Sequence, residues 1–145
     1  MSIENDGSEL LDRDSFRESV FRRDGYKCVI CGCVEPPLDS HHILERRLWD
    51  DGGYYVQNGA TLCDDREGRI GCHRKAEQTV LSCEQIRQAA GIRQVVLPDH
   101  LYRDAVYDKW GNIINTDGTR TERRTLRRRV CPQGPGISRN AFGFP

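Results

Sequence analysis

The sequence has no apolar run approaching the roughly 18 residues a membrane-spanning helix needs, which excludes that element. A secretory leader is also missing: residues 1–14 are polar and acidic, so a cytoplasmic protein is expected. Excess charge of one sign is absent, since Lys plus Arg and Asp plus Glu both number 22, and bulk charge therefore names no partner. There is no internal repeat. At 145 residues the chain is one domain with tails, able to bury roughly two-thirds of its unfolded surface. Its charge is unevenly placed. Glu4, Asp6, Glu9, Asp12, Asp14 and Glu18 crowd the first 19 residues, whereas residues 120–139 hold seven arginines against Glu122. One basic end could grip an acidic polymer locally.

What is present is cysteine, seven in all, an odd number in a chain with no export signal. A disulfide scaffold is usually smaller, denser and secreted. Cys28 and Cys31 form a C-x-x-C pair, and Cys63 and Cys72 follow at wider spacing. Four thiolates suffice for a closed tetrahedral site, which suits a structural Zn²⁺. The wider pair requires residues 64–71 to fold back, and Cys33 is a spare thiol nearby.

Organisation follows from turn residues and periodicity. Residues 1–13 lack apolar rhythm and are expected to be disordered. Asp14 or Ser15 would cap a helix with Phe16, Val20 and Phe21 on one face, ending at Asp24-Gly25. Residues 26–30 read as a short strand entering the cysteine knuckle, with Gly32 at its turn. Residues 38–44 read as a strand, 45–57 as a long loop, and 58–63 as a second strand returning antiparallel. A helix is expected over 72–81. Ser82 and Gln85 make a capping box for another, which ends near Gly91. Residues 95–97 read as a brief strand, and turn signals surround Ile113-Ile114. The expected divisions are an acidic N-terminus (1–13), a core (14–92), a strand or hairpin extension (93–119) and a flexible basic tail (120–145).

Histidines supply the second constellation. Neighbouring side chains on a strand point to opposite faces, so His41 and His42 cannot both meet one point without a local twist. Either one holds a metal while the other reaches a substrate, or both are packed or surface histidines. His73 opens the 72–81 helix and Glu77 lies four residues on, a pair able to clamp a metal. The alternatives are a further zinc ligand for His73 and a solvated carboxylate, paired with Arg74, for Glu77.

Together, FRRDGYKCVICG at 21–32, LDSHHI at 38–43, NGATLC at 58–63 and GCHRKAE at 71–77 resemble the HNH endonucleases. These are nucleases of the ββα-metal, or His-Me finger, class; YDKWGN at 107–112 resembles phage-type members. The resemblance covers about half the chain. It implies a small α+β fold: a ββα-metal finger with a zinc knuckle of Cys28, Cys31, Cys63 and Cys72, flanking helices and disordered termini. By the same resemblance His41 and His73 are ligands of a catalytic divalent ion (Mg²⁺, Mn²⁺ or Ni²⁺), and Glu77 stands where many members have a third histidine. His42 is the general base, and Asn58 pins the loop and orients that base. Asp39 is placed to orient His41 from behind. The implied activity is hydrolysis of DNA phosphodiesters, as a nick or a double-strand cut, to 5′-phosphate and 3′-hydroxyl ends.

The partner the resemblance implies is duplex DNA, by the family's habit. Arg46, Arg47, Arg74 and Lys75 either face phosphates or form a solvated surface. Trp49, Tyr54 and Tyr55 either stack on bases or cover the core. Two other readings stand beside the enzyme. One is a zinc-stabilised nucleic-acid-binding module without cleavage, which would have no use for the paired histidines. The other is a nuclease subunit of a phage complex that acts only with a protein partner.

Overall fold

A computed structural model of the chain describes residues 9–122. Residues 1–8 and 123–145, with Glu4 and Asp6 of the acidic start and six of the seven arginines of the basic end, lie outside the described residues. The fold is small and α+β, with three α-helices and two small antiparallel sheets among the described residues. No helix among them is long and apolar enough to cross a membrane.

Helix α1 spans Arg13–Arg23. Asp12, rather than Asp14 or Ser15, is its N-cap, accepting the Ser15 amide at 2.7 Å and so satisfying an otherwise orphaned donor. Leu11 is also held, its amide bonding the Tyr54 carbonyl at 2.9 Å. The helix buries Phe16 and Val20 against a hairpin of β1 (Leu38–His42) and β2 (Gly59–Cys63). Asp24 closes the helix and reaches into the hairpin, where its carboxylate accepts the Thr61 amide at 2.8 Å. Arg23 pairs with Asp24 and donates to the Val56 and Gly59 carbonyls at 2.9 and 2.7 Å. The end of α1 is thereby tied to β2 by charge-assisted bonds.

The hairpin is antiparallel, running from Leu38 opposite Cys63 to His42 opposite Gly59. Every residue of β2 is buried, and its far side carries α2 (Cys72–Glu77) and α3 (Cys83–Ala90). Ile43, Leu44, Leu48, Leu62, Ala76 and Ile86 fill the core between these elements. The capping box forms as its residues dictate, Ser82 and Gln85 bonding each other's amides, and Gly91 ends α3 at φ 74°.

Three expected elements differ. Residues 26–30 are not a strand: Gly25 and Tyr26 take φ of 71° and 59°, which turns the chain out of extension. Two knuckle bonds, Cys28 N–H to Cys33 and Gly32 N–H to Cys28, use the backbone groups a ladder would need. Helix α2 stops at Glu77 rather than near residue 81, followed by Thr79 at φ 59°. Residues 95–97 carry no ladder. The extension does contain a hairpin, β3 (Ile113–Ile114) with β4 (Arg120–Thr121), so its pairing enters what was expected to be tail.

Residues 107–112 run back across the end of β1 and α2. The Glu45 amide bonds the Lys109 carbonyl at 2.8 Å, and the Trp110 indole donates to the Glu77 carbonyl at 3.0 Å. Asp108 shapes this turn by accepting the Trp110 and Asn112 amides, both at 3.0 Å, and Arg120 pairs with it at 3.1 Å.

Candidate metal centres

The first centre joins the knuckle to the start of α2. One sulfur from each of Cys28, Cys31, Cys63 and Cys72 lies within 4.8 Å of all the others. Cys31 and Cys63 sulfurs are 3.7 Å apart, and a tetrahedral zinc with bonds of about 2.3 Å would set its sulfurs about 3.8 Å apart. None of the described cysteines is in a disulfide. Gly71 permits the closing turn: a Cβ there would lie 2.5 Å from the Cys63 carbonyl oxygen. Its amide bonds Asp65 at 2.8 Å, which folds 64–71 back as the wide cysteine spacing requires.

The thiols are electrostatically frustrated without a cation. Burial, then the charge of neighbouring Cys28, pushes the Cys72 thiol far up, and burial also raises Cys63. Burial raises Cys31 as well, but the backbone of Cys33 and the adjacent sulfurs outweigh it and bring that thiol to about 7. Four thiolates in so small a volume are compatible only with a bound positive charge, so the donor set fits a metal such as zinc. Cys33 stays outside the group, its sulfur 3.8 Å from the Glu35 carbonyl.

The second group is separate. Asp39 and His41 are two apart on β1 and share a face, the one turned toward α2. There His73 meets them, its ring perpendicular to that of His41 at 5.0 Å, and one donor atom from each of the three residues lies within 4.8 Å of the others. Asp39 is thus one of three residues that could hold a metal ion together. The Asp39 carboxylate sits 3.1 Å from His73 Nδ1 and raises the pKa of that imidazole. Burial would raise Asp39, but His73 and Arg17 hold it below the usual carboxylate range. Glu77 is not in the three-residue group; its carboxylate pairs with His73 Nε2 at 3.3 Å.

His42 points the other way, toward α1. Its ring stacks on Phe16 at 4.6 Å and 22° and meets the edge of Tyr54 at 5.1 Å. Gly59 opposite it has no side chain; a Cβ there would lie 2.7 Å from the Phe16 ring. His41 and His42 therefore lie on opposite faces of β1, yet both line one open, mainly polar cleft of about 510 Å³. Burial lowers the pKa of both, to about 4 for His42, with Lys109 the next cause in each case. His42 is consequently neutral at pH 7.

Asn58 holds the turn behind this pair. Its Oδ1 accepts the Leu44 amide at 3.0 Å and its Nδ2 donates to the Leu44 carbonyl at 3.0 Å, fixing the chain two residues past His42. Both His41 ring nitrogens and His42 Nε2 are buried without a hydrogen-bond partner among the described residues. Buried polar atoms are nearly always partnered, so several orphans in one cleft mark a place for a ligand.

Of the predicted phosphate contacts, only Arg46 lines the cleft, donating to the Tyr54 hydroxyl at 3.1 Å. Arg74 is drawn to Asp65 at 2.6 Å, and Arg47 and Lys75 are exposed elsewhere. Arg13, Arg17 and Lys109 line the cleft instead. The spacing of Arg13 and Arg17, four apart on a helix, could have revealed their shared face. No local signal placed Lys109 there. Tyr54 belongs to the cleft, whereas Trp49 and Tyr55 pack together at 5.1 Å beside a second hollow. Comparison with protein-family models, with curated proteins and with solved structures gives no match.

Proposed function

We propose that the protein is a metal-dependent endonuclease of HNH type, hydrolysing DNA phosphodiester bonds to 5′-phosphate and 3′-hydroxyl ends. The observation that carries this reading is the convergence of unpartnered imidazole nitrogens and a carboxylate on one arginine-edged cleft. The order of hairpin then short helix, with the candidate ligands on β1 and α2, supports a ββα-metal finger.

Asp39, His41 and His73 would hold the divalent ion, an oxygen and nitrogen set suited to Mg²⁺, Mn²⁺ or Ni²⁺. Bound there, the ion would neutralise charge developing on the phosphate and the leaving oxygen. His42 accepts a proton from the attacking water, for which it must be neutral beforehand. The low pKa left by burial is offset when a phosphodiester anion enters, because that charge opposes those of Lys109 and Arg46. Phe16 and Asn58 keep the base in place. Arg13, Arg17 and Arg46 hold the backbone of the duplex, a contact that is independent of sequence and weakened by salt. The four-cysteine centre takes no part in the chemistry and keeps hairpin, knuckle and α2 together.

The test is incubation of supercoiled plasmid with wild type and His73→Ala, matched for zinc content, in EDTA, Mg²⁺, Mn²⁺ and Ni²⁺. Metal-dependent nicking with ligatable ends, lost in the variant, supports the enzyme. Salt-sensitive DNA binding by both proteins without cleavage under any ion supports the binding module instead.

A further inference from the structure

The most unusual side chain in the cleft is Lys109. It is 7% exposed, yet among the described residues its ammonium makes only one hydrogen bond, from Nζ to the His42 carbonyl at 2.8 Å. Among the described residues it forms no ion pair: the Trp110 ring lies 5.2 Å from Nζ, and Glu45, Glu77 and Asp39 attract it only from farther away. An ammonium carries three donors, and a buried cation without a paired anion is costly. Its surroundings make a chance orientation implausible. The Lys109 carbonyl is held by the Glu45 amide, the next residue's indole by the Glu77 carbonyl, and Asp108 fixes the turn before it. The chain thus leaves its core sequence by 67 residues and returns to set one cation beside His42 in the cleft.

We propose that Lys109 is a catalytic residue: its remaining N–H groups bind a non-bridging oxygen of the scissile phosphodiester, and the charge stabilises the transition state. This rests on the endonuclease reading above and adds to it a group from outside the finger. Anchoring at the His42 carbonyl sets the ammonium in the cleft that both histidines line, where an anion must lie for water activated by His42 to reach phosphorus. Arg13, Arg17 and Arg46 are exposed and hold flanking phosphates, whereas a buried charge acts in a weaker dielectric and changes the rate more than the affinity.

The experiment compares single-turnover plasmid cleavage and duplex affinity for wild type, Lys109→Met and Lys109→Arg, each with its zinc and thermal midpoint measured. In parallel, the Lys109 Cε resonance of wild type is followed by NMR while a thymidine dinucleotide is added. Lys109→Met is expected to cleave on the order of 100-fold more slowly with duplex affinity changed less than about threefold, and Lys109→Arg to recover part of the rate. The Lys109 resonance is expected to shift saturably. Cleavage by Lys109→Met within threefold of wild type, or a resonance that the dinucleotide leaves unmoved, overturns the proposal. If wild type cleaves nothing under any ion, the endonuclease reading fails, and the dinucleotide titration alone decides the anion contact. If Lys109→Met does not fold, Lys109→Arg and the wild-type titration decide it.

Discussion

Replacing Asn58 by alanine removes the two best-formed polar contacts that fix the turn after the paired histidines. Asn58 is 1% exposed and Leu44 is wholly buried, so water cannot take over the lost bonds. The Leu44 amide and carbonyl, each bonded to Asn58 at 3.0 Å, are both left unpaired. A buried group left unsatisfied costs about 1–3 kcal/mol, so two of them predict a loss of about 2–6 kcal/mol in Asn58→Ala. A third contact, from Nδ2 to the Gly53 carbonyl at 3.5 Å, is too long to add much. Asn58→Asp keeps an acceptor for the Leu44 amide but sets a carboxylate oxygen against the Leu44 carbonyl, so it is expected to be at least as unstable. Urea unfolding of the zinc-loaded proteins at pH 7 measures both. A loss below about 1 kcal/mol in Asn58→Ala would refute the reasoning, because it would mean the turn repairs its own hydrogen bonding.

Four further outcomes follow from particular contacts. Gly59→Ala forces a methyl into Val20 and Phe16, at 2.6 and 2.7 Å, and overpacking of this kind costs about 1–3 kcal/mol by urea unfolding. The NMR signals of the His42 ring should shift with it, since Phe16 is its stacking partner. The purified chain should bind one zinc at the cysteine group; Cys63→Ser or chelation should abolish it and lower the thermal midpoint, as measured by metal analysis and calorimetry. Without metals, acid should destabilise the protein through His42, whose native pKa of about 4 lies below the ordinary 6.5. The unfolded chain binds that proton first, so stability is full above pH 6.5 and falls as pH drops toward 4. His73, with its raised pKa, works in the opposite sense and contributes most below pH 6.5. The urea midpoint of His42→Gln should therefore change less between pH 7 and 4.5 than that of wild type.

Local pattern carried much of this molecule. The hairpin of Leu38–His42 with Gly59–Cys63 follows from two short strand-like stretches on either side of a long loop, and the Ser82–Gln85 box and Gly91 bound α3 as their chemistry requires. The cysteine group was legible because ligand spacing is itself a geometric signal. What escaped local reading was set by long-range contacts. Residues 26–30 have strand-like composition, but two positive-φ residues and the knuckle bonds prevail. Arg74 looks cleft-facing by sequence, yet Asp65 on the folded-back loop captures it. The meeting of Asp39 and His41 with His73 is a long-range result too: strand alternation puts the first two on one face, and the start of α2 brings His73 to both. Lys109 was hidden most completely, since only the return of 107–112 to the end of β1 gives it a place.

The measurement that tests the account most directly is cleavage of supercoiled plasmid by wild type and His42→Ala at equal zinc and equal divalent-ion occupancy. The account predicts metal-dependent strand cleavage by wild type and a loss on the order of 100-fold or more in the variant, with duplex binding retained. Equal cleavage by the two proteins would contradict the assignment of His42 as the base, and with it the chemistry assigned to the cleft.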